Sequence, residues 1–410
     1  MTNPLYDPFA VLQKVYGGGA YLKQALNDTP IEEAHRARTA KVCYGVLEND
    51  IYLDFCIKSF APKSPKLPVR ILLKVALYFL LFLGKARYMV TDSAVSLIRK
   101  LGKGGASGFV NAFLRNFDAE KLILPADKLS RLSVQYSFPP FAVSRLAEEY
   151  GEEAEEIMRP RPARTFVRFA GQPAQKYLDL PHEDTPFSGL YAYPNFRRDA
   201  GYDRGEYTFQ SVGSVAVCAA VEPCGELLDA CAAPGGKSVL LAGKCGRVTA
   251  FELHEHRAKL IGSYASRMGA ENISVVCRDS SVHDPAYDGR FDAVLADAPC
   301  SGYGVVGENP DIKLLRREAD LSSLCKTQRA ILSACAPYVR AGGCLYYSTC
   351  SVFGEENDGT VSAFLGQHPD FAAEEIASPL GHERTRFGLQ FLPHLSMGAG
   401  FYVCKMRKKA

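Results

Sequence analysis

Cys300 and Cys350 carry the strongest chemical signal in this chain. The first sits in Asp297-Ala298-Pro299-Cys300-Ser301-Gly302, the second in Tyr347-Ser348-Thr349-Cys350-Ser351. Each follows a short apolar run that reads as a buried strand: Phe291 to Ala296, and Cys344 to Tyr347 after the Gly342-Gly343 turn. A thiol just past the carboxyl end of a parallel strand stands where open α/β sheets place their chemistry. On neighbouring strands the two sulfurs would be about 5 Å apart, one strand spacing. That spacing predicts one small planar substrate held between them. Taken singly, either cysteine reads as a buried core residue. Their shared strand-end placement favours chemistry.

A third signal lies upstream, in Glu226-Leu227-Leu228-Asp229-Ala230-Cys231-Ala232-Ala233-Pro234-Gly235-Gly236-Lys237-Ser238. It reads as strand, glycine turn and helix start. Paired glycines let the backbone approach a ligand and lead into helix amides that have no partner. A phosphate-cradling loop would need glycine where Cys231 stands, and the G-x-G-x-x-G dinucleotide pattern is absent. Glu252 ends the next apolar run, Arg247 to Phe251, where a ribose-binding carboxylate belongs. These features point to an adenosine-type ligand without a pyrophosphate, and S-adenosylmethionine fits. A nicotinamide dehydrogenase is disfavoured for want of the glycine fingerprint.

Taken in order, Leu-Asp-x-Cys-Ala-Ala-Pro-Gly-Gly-Lys, Asp-Ala-Pro-Cys-Ser-Gly and Ser-Thr-Cys-Ser-Val-x-x-x-Glu-Glu-Asn resemble the Nop/Sun (RsmB/Fmu-type) family of RNA cytosine-C5 methyltransferases. The closing stretch Leu392 to Tyr402 resembles that family's last sheet hairpin. The likeness is clear from about residue 130 onward and looser before it. It implies that Cys350 attacks cytosine C6 and Cys300 assists release; the residues alone leave the two roles exchangeable. It also implies that Asp297 supports the base and the methyl donor, although a turn cap would suit that aspartate too. Donor contacts would come from Cys231, Ala232, Ala233, Pro234, Gly235, Gly236 and Lys237, from Glu252 to the ribose, and from Asp279 to the adenine. Singly, Lys237 reads equally as a solvated helix-start lysine and Asp279 as a loop carboxylate. Lys313, in the family-like Asn309-Pro310-Asp311-Ile312-Lys313, is expected to touch RNA phosphate or base. Two departures stand out: Gly307-Glu308 replace a usual arginine, and Gln210-Ser211 replaces the family's Gln-Asp. His394 reads as a structural histidine.

Of the 410 residues, 47% are hydrophobic and 23% charged, which suits a globular protein of two or three domains with a sizeable core. Net charge is +3 but uneven: residues 1–150 hold 20 Lys/Arg against 13 Asp/Glu. A basic front half fits a polyanion partner, or simply a solvated helical face. Thirteen cysteines form no CxxC pair and no zinc-spaced cluster, so no metal is expected and a reducing cytoplasm is. The N-terminus lacks a signal-peptide layout. The apolar run Ile71 to Leu83 contains Lys74 and is too short to span a bilayer; it predicts a buried helix and no membrane role.

Helical spacing dominates the first 133 residues, most clearly over Arg38–Tyr52 and Arg70–Leu83. Asp92-Ser93 gives a helix start, Gly102 to Gly105 a break, and Ala106–Phe117 a further helix. This predicts an all-α domain over 1–133, which resembles the NusB-like RNA-binding domain of the Sun branch. Residues 134–208 predict a helical linker plus a small α+β subdomain of RNA-recognition type. There Tyr191, Tyr193, Phe196, Tyr202 and Tyr207 run beside Arg197, Arg198 and Arg204. Aromatics interleaved with arginines suit RNA stacking, or an ordinary strand core. From 209 to 410 strands and helices alternate, predicting a Rossmann-like α/β methyltransferase domain with a parallel doubly wound sheet. Together these imply a monomeric multidomain enzyme that methylates RNA, with 16S ribosomal RNA as the expected substrate. Transfer RNA or another ribosomal site is the alternative target, and a non-catalytic RNA-binding assembly factor the alternative class.

Overall fold

The computed structural model describes residues 3–61 and 63–410. The chain divides into two compact units, one comprising the residues up to Pro160 with Val306–Arg317, the other Arg161–Val305 with Glu318–Ala410.

The first unit is helical: α1 (Tyr6–Gly18), α2 (Leu22–Asn27), α3 (Glu33–Glu48), α4 (Asp50–Phe60), α5 (Leu67–Leu81), α6 (Arg87–Lys100), α7 (Ser107–Asn116), α8 (Lys128–Tyr136), α9 (Pro140–Tyr150) and α10 (Ala154–Met158). At its centre α5 buries Ile71, Leu72, Leu73, Val75, Ala76 and Leu77. Lys74 is tolerated there, 1% exposed, because its Nζ meets Asp50 Oδ1 at 2.5 Å and Asp54 Oδ1 at 3.1 Å. The helical spacing read over Arg38–Tyr52 spans two helices that part at Asn49. Helix α6 begins a turn before Asp92-Ser93. Val90, Ala94, Leu97 and Ile98 share its buried stripe while Asp92 faces solvent, so that aspartate caps nothing. The unit also runs past residue 133: α8 packs against α4, and Tyr52 N donates to Ser137 Oγ at 3.0 Å.

The second unit holds two sheets. In the smaller, β1 (Thr165–Phe169), β2 (Glu183–Asp184), β3 (Leu190–Tyr193) and β4 (Tyr207–Phe209) take the order β2-β3-β1-β4, with short helices α11 (Gln175–Leu178) and α12 (Ala200–Asp203). Tyr193 and Tyr207 are fully buried with Val167, Phe169 and Tyr177. The tyrosines of 191–207 therefore include core rings, because strand alternation turns every second one inward.

The larger sheet is built from β5 (Cys224–Asp229), β6 (Cys245–Glu252), β7 (Ile273–Cys277), β8 (Phe291–Asp297), β9 (Val339–Thr349), β10 (Phe371–Glu374), β11 (Glu383–Arg384), β12 (Gly388–Phe391) and β13 (Phe401–Lys408). Its order is β11-β12-β13-β9-β8-β5-β6-β7, with β10 beside β13. Helices α13 (Val212–Ala220), α14 (Gly236–Ala242), α15 (Glu255–Arg267), α16 (Ile312–Leu315), α17 (Glu318–Cys335) and α18 (Asp358–Gln367) lie between the strands in sequence; α16 belongs to the helical unit. Strands β5 to β9 pair parallel, whereas β10, β12 and β13 pair antiparallel. The sheet is thus mixed rather than wholly parallel: the closing segments return as adjacent strands without a crossover helix. The chain passes from β5 outward to β6 and β7, then returns to β8 on the other side. The β5/β8 junction is therefore the switch point, where such sheets open a ligand crevice beyond the carboxyl ends.

Candidate active site

Five carboxyl ends line that edge. The loop after β5 begins at Asp229, which is 1% exposed. Its Oδ2 accepts from Ser238 Oγ at 2.6 Å, while its Oδ1 is buried with no partner among the described residues. Burial pushes this carboxyl up to about 6, with the Ser238 hydrogen bond opposing. Cys231, Ala232, Ala233 and Pro234 follow. Gly235 has φ +106°, and a Cβ there would meet Ile261 Cα at 3.2 Å, so glycine is required. Gly236 opens α14, and its carbonyl accepts from Gln210 Nε2 at 3.2 Å. Gln210 Oε1 in turn accepts from Arg168 Nε at 2.7 Å.

Glu252 ends β6 and pairs in register with Cys277 of β7. It is 4% exposed, accepts from the His254 amide at 3.1 Å and meets Arg257 at 3.3 Å. Asp279 follows β7; the hydroxyl and amide of Ser281, at 2.6 and 2.8 Å, hold it below the usual carboxylate range. An unpartnered buried carboxylate oxygen and two strand-end carboxylates form an acceptor set suited to S-adenosylmethionine. Its ammonium and ribose hydroxyls are donors that such oxygens accept.

Lys237 reaches from α14 to the end of β8, where Nζ lies 2.6 Å from Asp297 Oδ2. Burial works against its charge, but Asp297 overrides that and holds the ammonium above its usual range. The other Asp297 oxygen accepts from Ser348 Oγ at 2.7 Å, and Asp297 and Ser348 are register partners across β8 and β9. Cys300 and Cys350 leave these strand ends together, Sγ to Sγ 3.1 Å, with the Cys350 amide donating to Cys300 Sγ at 3.3 Å. No ring fits between sulfurs in contact, so the expectation of a planar substrate held between them is corrected: the two thiols touch and leave no gap. Cys350 is half-buried; Cys300 is only 8% exposed. The hydrogen bond with Cys350, then burial, pushes the Cys300 thiol well up.

The remaining expected residues stand elsewhere. Arg197 and Arg198 are exposed on the small subdomain; Arg198 pairs with Asp203 and lies 4.1 Å over the Tyr202 ring. Lys313 lies within the helical unit, where Nζ donates to Glu48 O at 2.8 Å and Tyr136 O at 3.4 Å. Nearby, Asp311 accepts from the Leu22 amide at 2.9 Å. Sequence reasoning passed over Asp229, Ser348 and Gln210 as site residues. Their signal was adjacency to the loop, strand end and helix entry already singled out.

Residues 217–407 match the family model "16S rRNA methyltransferase RsmB/F", and residues 9–119 match the NusB family. A Bacillus subtilis (strain 168) protein named "Probable ribosomal RNA small subunit methyltransferase B" is 32% identical over 95% of this chain and 94% of its own. The chain belongs to the RsmB/F family of ribosomal RNA methyltransferases. The Sodalis glossinidius "Ribosomal RNA small subunit methyltransferase B" is 31% identical, over 93% of this chain and 91% of its own. Among solved structures, that of PH0851 superposes with a TM-score of 0.83 at 23% identity, covering 99% of both chains, a likeness of fold. As an RsmB/F member the protein is an S-adenosylmethionine-dependent ribosomal RNA methyltransferase, with a NusB front domain and a Rossmann-like catalytic domain. Among the described residues no helix is long and apolar enough to cross a membrane.

Proposed function

We propose that this RsmB/F protein methylates C5 of a cytosine in small-subunit (16S) ribosomal RNA through a covalent bond between Cys350 and cytosine C6. One observation carries the reading: of two sulfurs in contact at neighbouring strand ends, Cys350 is the more exposed and Cys300 is buried. Cytosine C5 is a poor nucleophile until something adds at C6, and a thiolate adds readily and still leaves. Cys350 Sγ adds to C6, which makes C5 electron-rich. S-adenosylmethionine, when bound, supplies the methyl group that C5 takes up. A general base then takes the C5 proton, and the freed electron pair restores the C5–C6 double bond and expels Cys350 as the thiolate. The Cys300 thiol assists by donating a hydrogen bond to the departing sulfur.

The loop from Cys231 to Lys237, with Glu252, Asp279 and Asp297, holds the donor. Asp297, steadied by Lys237 and Ser348, also accepts from the cytosine amino group. A paired base must leave its helix to reach Cys350, and Arg197 and Arg198 offer exposed charge for the RNA backbone. The enzyme acts as a monomer in the cytoplasm, where thirteen unbridged cysteines stay reduced.

The test uses unmethylated small-subunit ribosomal RNA and the purified chain. Cys350→Ala should abolish transfer, and Cys300→Ala should accumulate a protein–RNA adduct that survives denaturation. Bisulfite sequencing locates the cytosine. Full activity of Cys350→Ala would sink the covalent reading, and an adduct that forms only when Cys300 is intact would exchange the two roles.

A further inference from the structure

Glu356 is 0% exposed, and it has no assigned task in the scheme above. Its carboxylate accepts four hydrogen bonds. Oε1 takes the Ser301 amide at 2.8 Å and Gln328 Nε2 at 3.0 Å; Oε2 takes the hydroxyls of Ser301 and Ser351, each at 2.5 Å. Among the described residues no lysine or arginine pairs with it. Taking a carboxylate out of water without a cation is costly, and hydrogen bonds must offset the loss. A chain that needed only packing here would do better with an apolar residue.

The donors explain the placement. Ser301 follows Cys300 and Ser351 follows Cys350, so one carboxylate grips the residue next to each thiol. The two hydroxyls also lie 3.1 Å from one another. The main chain of Glu356 is itself anchored, its carbonyl accepting from the buried Tyr347 hydroxyl at 2.6 Å. Two loops whose thiols stand fifty residues apart in the chain are thereby fixed at one point, through the serine that follows each cysteine. We propose that Glu356 is the positioning residue of the thiol pair: its buried carboxylate ties the Cys300 loop to the Cys350 loop and holds the two sulfurs in contact. The inference rests on the thiol roles proposed above, but its geometry does not need RNA.

Two readouts on the full-length protein test it. The first is methylation of a small-subunit ribosomal RNA transcript, resolved into kcat and the KM for S-adenosylmethionine. The second is disulfide formation between Cys300 and Cys350 under diamide without RNA, followed by peptide mass spectrometry. In that reaction two thiols give up two hydrogens to diamide, which is reduced to the hydrazine. Glu356→Ala should lower kcat by about 100-fold, as a misplaced reacting group does, with the KM for the donor little changed. It should also slow the disulfide at least about tenfold, since the rate follows how closely the sulfurs are held.

Glu356→Gln keeps length and an acceptor oxygen, so it should recover most of both losses. Should Glu356→Ala fail to fold, Ser351→Ala, which removes one tether, is expected to slow the disulfide by a few-fold. Wild-type disulfide rates in the alanine variants would overturn the inference. Were Cys350→Ala to retain activity, the proposed chemistry would fall, and the diamide rates would still judge the strut by itself.

Discussion

Lys237 Nζ and Asp297 Oδ2 lie 2.6 Å apart, joining the helix that follows the Gly235 turn to the strand end that precedes Cys300. The pair ties the start of α14 to the end of β8, three residues before Cys300. Both side chains are mostly buried, 14% and 23% exposed, so removing one partner strands the other. Lys237→Met should cost about 2–3 kcal/mol in denaturant titration. The double variant with Asp297→Asn should recover over half of that, and a strictly additive double-mutant cycle would show the pair to be uncoupled.

Asp229 makes stability depend on pH in a stated direction. Burial raises its folded-state value to about 6, above the ordinary value of about 4 for an unfolded aspartate. Its stabilising contribution is therefore complete below about pH 4 and is lost as pH rises through 6. Wild type should lose about 3 kcal/mol relative to Asp229→Asn between pH 4 and 7.5. Parallel stability curves for the two proteins would rule this out.

Gly304 has no room for a side chain. An added Cβ would come within 2.1 Å of the Gly400 carbonyl oxygen. The same residue donates to Cys350 O at 3.0 Å and accepts from the Gly400 amide at 2.8 Å. Gly304→Ala should cost on the order of 1–3 kcal/mol through overpacking. Because the shift falls on the Cys350 loop, methylation should drop at least about tenfold while calorimetric donor affinity holds. Equal loss of both would mean that the strain spreads to the donor pocket.

Lys313 offers a test between a structural lysine and an RNA contact, since its Nζ already donates to the Glu48 and Tyr136 carbonyls. Burial lowers it to about 8, with Glu48 and Asp50 opposing. An unfolded lysine titrates near 10.4, so the unfolded chain binds more protons between those values and stability rises with pH there. Lys313→Met should flatten that rise. It should leave the salt dependence of RNA binding unchanged; a slope reduced by about one would instead assign it a phosphate.

The elements at the site were legible because their signals are local. An apolar run ending in Asp-Ala-Pro-Cys or Ser-Thr-Cys needs only strand alternation and a turn to leave its thiol at a carboxyl end. The demand for glycine at Gly235 is likewise set by one backbone angle. The same local reading misplaced the start of α6, since Asp92 suits a cap and a solvent-facing helix position equally well. It also left the tyrosines of the small subdomain undecided, because inward and outward faces are distinguished only once a sheet has a core.

What the tertiary structure alone decided is contact between distant residues. The choice between sulfurs facing across a gap and sulfurs touching came from how β8 and β9 end together. The Glu356 grip on Ser301 spans fifty-five positions, and Lys313 meets Glu48 across 265. Spacing along a chain encodes which face a residue takes within its own element. Which partner it meets depends on how whole elements pack, and that is written in no single stretch of sequence.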